Sequence, residues 1–135
     1  MNTTHMTMTR IYDLADDHEL VEKVQRATLT TTDFGIVPEV ALYGSQEWWK
    51  AINDGRIPRH VIDGVICDVF TSGESNWPQF EIDCNGHKTV WTRFGNPELY
   101  EIGQRVKLAY VVQRPKKSWT GDPFQKEVLS IDVEA

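Results

Sequence analysis

The dipeptide Asn85-Gly86, set between the alternating runs "PQFEIDC" and "HKTVWTRF", constrains this chain more than any other feature. A two-residue Asn-Gly loop adopts the turn type whose twist matches that of paired strands, so it sets a hairpin's register as well as its existence. Counting outward pairs Cys84 with His87, Asp83 with Lys88, Ile82 with Thr89, and Phe80 with Trp91. One face then carries Phe80, Ile82, Cys84 and Trp91 and is expected to be core. The other carries Gln79, Glu81, Asp83, Lys88, Val90 and Thr92 and is expected to be wet.

The same period of two runs through the whole C-terminal part. "RHVIDGVICDVF" reads as a strand with Val61, Val65, Cys67 and Val69 inward and Gly64 as a bend or bulge. "QRVKLAYVVQR" places Val106, Leu108, Tyr110 and Val112 inward, and "KEVLSIDVEA" does the same with Leu129, Ile131 and Val133. Before Arg59 the period is helical. "DDHELVEKVQRA" predicts a helix over about 17–27, capped by Asp16 with Glu19 three residues on, and supported by a Glu22–Arg26 pair. The Thr-rich run that follows, with Pro38 in it, reads as a connector. "GSQEWWKAINDG" is a second, short helix with Ser45 as N-cap and Gly55 as stop. The first ten residues read as disordered, so 1–43 form an N-terminal extension and 44–135 a capping helix plus five strands.

Five antiparallel strands at this spacing make a mainly-β fold, α+β by content. The layout resembles the OB-fold from Arg59 to Val133: a long bent first strand with an internal Gly, a hairpin of strands two and three, then strands four and five. The resemblance is one of pattern and implies a five-stranded OB-like barrel; an SH3-like or Sm-like barrel is the alternative. The segment "GNPELYEIG" is too short for the helix that often closes such a barrel. The helix with Trp48 and Trp49 is expected to supply the plug instead. Those two side chains point about 100° apart, so one covers the open end and the other seals its rim.

Composition excludes several functions. The 135 residues carry a net charge of −6, so no global basic field recruits nucleic acid or anionic membrane. No run is apolar enough for a membrane span or an export signal, and two cysteines do not make a disulfide framework, which leads to the expectation of a soluble, cytoplasmic protein. Cys84 and His87 face each other across the hairpin as half of a zinc site, but no further ligands accompany them, so no metal is expected. No phosphate loop, nucleophile elbow or metalloprotease helix occurs, so neither cofactor nor catalytic residue is assigned and an enzyme is not expected.

Charge is uneven, however. Residues 61–85 hold five carboxylates and no Lys or Arg, whereas 86–126 hold eight basic side chains against three acids. Within the basic stretch, loop 114–126 combines Trp119 with Arg114, Lys116 and Lys117, and loop 71–79 offers Trp77. Phe94 lies at the far end of the face of strands two and three. Tryptophans beside cations suit protein interfaces, and they equally suit stacked bases and phosphates. The first reading is therefore a non-catalytic module for protein–protein association through these two loops. The alternative is OB-type binding of single-stranded nucleic acid or another anionic ligand, and a third is an enzyme with an unrecognised pocket.

Overall fold

The computed structural model describes residues 7–134. Its elements are β1 (Met8–Asp13), α1 (His18–Thr30), α2 (Gln46–Asn53), β2 (His60–Ser72), β3 (Trp77–Cys84), β4 (His87–Thr92), β5 (Arg105–Gln113) and β6 (Gln125–Glu134). One-turn 3-10 helices cover Leu14–Asp16 and Pro97–Leu99. The strands form one antiparallel sheet in the order β1-β6-β5-β2-β3-β4. No helix among the described residues is long and apolar enough to cross a membrane.

This sheet is six-stranded and open, where the pattern predicted a five-stranded barrel. The edge of β6 that closure would need is taken by β1, formed partly from residues expected to be disordered. Of those ten residues, 1–6 lie outside the described residues, and Met8 onward is strand. Arg10 grips Asp132 of β6 at 2.8 Å, and Tyr12 is buried.

The chain divides into two compact units, one built from residues up to Tyr12, Val61–Leu108 and residues from Ser130 on, the other from Asp13–His60 and Ala109–Leu129. In the first, the Asn-Gly hairpin has the register read from its turn: Cys84↔His87, Asp83↔Lys88, Ile82↔Thr89 and Phe80↔Trp91. Phe80 and Ile82 are fully buried, and Phe80 packs against Tyr100 at 4.8 Å.

Strand β2 departs from its predicted face. The bulge sits between Ile66 and Asp68, not at Gly64, and it reverses the phase of the strand. Before it Ile66 is the buried residue while Val61 and Val65 are exposed; after it Val69 pairs with Phe80. Gly64 serves a different need. A Cβ there would fall 2.5 Å from the carbonyl oxygen of Asp83, so only glycine lets the two backbones approach this closely. Cys67, expected inward, instead points its thiol at Glu81 Oε1, 3.1 Å away on the outer face, and both cysteines are free.

In the second unit, Asp17 caps α1 one residue later than predicted, and the helix runs on to Thr30. In this Thr-rich extension the hydroxyls of Thr28, Thr30 and Thr31 donate to the carbonyls of Val24, Arg26 and Ala27 one turn back. The Glu22–Arg26 pair forms at 2.7 Å. Helix α2 has Ser45 as its N-cap, its hydroxyl accepting from the amide of Trp48, and Gly55 follows with a positive φ. Trp48 is fully buried between Tyr43 and Trp49, with ring centroids 4.9 Å from each. It is core within this unit rather than the stopper of a barrel. On β5 the buried phase shifts at Ala109, so Val111 is buried and Val112, predicted inward, is exposed.

Candidate functional site

The six side chains expected to bind a partner have different surroundings. In the first unit, Trp77 opens β3 beyond a tight turn over residues 73–76 instead of riding a long loop. It is about half exposed, and its indole N–H donates to Thr92 Oγ1 at 3.0 Å, which fixes the ring to the neighbouring strand. Phe94 is half-buried and stacks on Tyr12 at 4.8 Å, so it is no free platform.

The other four belong to the second unit. The ammonium of Lys116 is committed to the fold: it donates to the carbonyls of Thr28 and Thr31, neutralising the negative C-terminal end of α1. Arg114 reaches toward Glu39 at 3.7 Å and lies over the ring of Phe124 at 5.9 Å. Lys117 and Trp119 come together, the ammonium 4.4 Å from the centre of the indole. On Trp119 also stacks Phe34, 5.5 Å away and within 17° of parallel.

Phe34 and Trp119 line a cavity of about 260 Å³ in the second unit. Leu20, Val24 and Ala27 of α1 form one wall, and Ile36 and Pro115 bridge to form another. Glu127 of β6 also lines it. Burial pushes this carboxyl up to about 7, against a smaller opposing effect of the hydrogen bond from Gln125. Phe34, Trp119 and, elsewhere in the unit, Phe124 remain 54%, 62% and 51% exposed.

The first unit holds a wider cavity of about 440 Å³ lined by Asp63, Cys67, Asp83 and Arg105. Arg105 is held by Asp63 at 3.0 Å, and desolvation together with the Glu81 carboxylate pushes the Cys67 thiol up, keeping it protonated and a poor nucleophile. Glu81, Asp83 and Asp68 lie on the outer side of β2 and β3, where the nucleic-acid alternative would need phosphate contacts, and nothing found supports that alternative. Among the described residues no cluster of three or more His, Cys, Asp or Glu could hold a metal ion.

A family model described as Immunity protein RhsI2 matches residues 8–134. The chain belongs to this family. The matched span begins at the first residue of β1 and ends at the last residue of β6, so the family's extent is that of the sheet. Membership in an immunity-protein family carries a role of non-catalytic protein–protein binding, which agrees with the binding module expected from the sequence. No curated protein matches the chain.

Sequence reasoning missed Phe34 and Glu127. Glu127 had a signal: it lies in phase with Leu129, Ile131 and Val133, so the alternation that turned those residues inward turned it inward too. Phe34 had none, since nothing local tells where an aromatic in a connector will land.

Proposed function

We propose that this chain neutralises an Rhs toxin by binding it without chemistry, through the surface of the second unit around Phe34, Lys117, Trp119 and Phe124. The observation that carries the reading is the exposed stack of Phe34 on Trp119, with Lys117 over the indole, at a cavity lined by apolar helix residues. Large rings already held in place by their neighbours lose little conformational freedom on binding, and aromatic side chains dominate interface energetics. The family's description supports a protein partner of this kind.

The test is calorimetric titration of the chain with the Rhs toxin of its host, repeated with Phe34→Ala and Trp119→Ala. Each truncation of an interface anchor costs about 2 kcal/mol or more, roughly a thirtyfold loss of affinity. Both side chains are more than half exposed, so circular dichroism of the variants stays that of the parent. Full affinity in both variants would place the toxin on another surface. Absence of any complex with the parent chain would remove the reading altogether.

A further inference from the structure

The cavity lined by Phe34 and Trp119 is more than an apolar dimple, because a carboxylate lines it that forms no salt bridge among the described residues. This is Glu127, which accepts from Gln125 Nε2. The charged groups around it are known. Lys23 of α1 and Lys117 of the β5–β6 loop line the same cavity without pairing to it, Asp33 lines it from the connector, and the buried phenol of Tyr43 feels its charge. The volume admits one long side chain and no folded element. Its apolar walls suit an alkyl stem and its aromatic pair suits a cationic head; the indole already attracts Lys117.

We propose that this cavity is the socket for a single arginine or lysine side chain of the toxin, whose charge pairs with Glu127. The inference rests on the proposed function and adds the chemistry of the contact. Charge complementarity selects the occupant: an uncharged guest would strip the remaining water from Glu127 and leave it without a partner, whereas a cation supplies what burial has removed.

The ionisation of Glu127 makes the two guests distinguishable. Burial has raised this carboxyl to about 7, so near pH 7 the free protein holds part of it protonated. An entering cation favours the carboxylate and expels the proton. Binding near pH 7 therefore releases protons, and affinity rises as pH increases through 7. An uncharged guest does the reverse and draws a proton in.

The experiment titrates the full chain with the Rhs toxin at pH 7 in two buffers of different ionisation enthalpy, for the parent and for Glu127→Gln. Glutamine copies the shape of the protonated acid, so the variant keeps the fold of the free protein. The expected result is proton release by the parent, none by Glu127→Gln, and at least about tenfold weaker binding by the variant. Proton uptake by the parent, or unchanged affinity in Glu127→Gln, overturns the socket while leaving the toxin complex intact. A parent chain that binds no toxin overturns the functional reading, and the socket with it.

Discussion

Trp48 has every heavy atom of its side chain out of water, yet its indole N–H finds no acceptor among the described residues. The ring is thus held by packing against Tyr43 and Trp49 and not by hydrogen bonding. Trp48→Ala is expected to cost about 3–5 kcal/mol, read as a lower urea midpoint, because the surrounding core cannot collapse into so large a void. Trp48→Phe should cost distinctly less, since it keeps a ring and deletes the orphan donor. Equal losses in the two variants would mean that the N–H has a partner after all. That the two tryptophans would point different ways was legible from the 100° helical step, but not that Trp48 would be core instead of a barrel stopper. Lys116 was not legible in this way: a lysine in a basic loop looks like any solvated charge until the end of α1 is brought against it.

Elements were legible where a local device sets them. Asn85-Gly86 specified the β3–β4 register residue by residue, and Ser45 with Gly55 bounded α2, because these turns and caps act through neighbours in sequence. The face of β2 was not, since its two alternating sets, Val61-Val65-Val69 and Ile62-Ile66-Phe70, are equally apolar, and only pairing with β3 decides between them. Gly64 is where that pairing leaves no room. Gly64→Ala is expected to destabilise by about 1–3 kcal/mol through overpacking against the Asp83 carbonyl, with an unchanged m-value in a denaturant titration. A neutral substitution would show that β2 and β3 can separate freely at this point. The candidate site follows the same division. The sequence pointed to Trp119 and Lys117 from composition, whereas their companions Phe34 and Glu127 come from a connector and a strand that only tertiary structure unites.

At the scale of the whole molecule, neither unit is a contiguous stretch of chain, and β1 is added to the sheet beside β6 from the opposite end of the sequence. No local pattern announces such a pairing, which is why a closed five-stranded barrel was the natural reading of the strands from β2 onward. Removing residues 1–12 is expected to leave the long, apolar β6 with an open edge, and the shortened chain should self-associate in size-exclusion chromatography with light scattering. Arg10→Ala, which removes the ion pair with Asp132 but keeps β1, should elute as the full-length chain does and lose about 1 kcal/mol. A monomeric truncated chain would mean that β6 is protected without β1. The pairing also has a consequence in time. At about 5–20 residues per second, roughly 6–25 s separate the synthesis of β1 from that of β6, and until then the first strand has nothing to pair with. The strand that pairs with β1 also carries Glu127, so the partner of β1 and the carboxylate of the cavity emerge from the ribosome together.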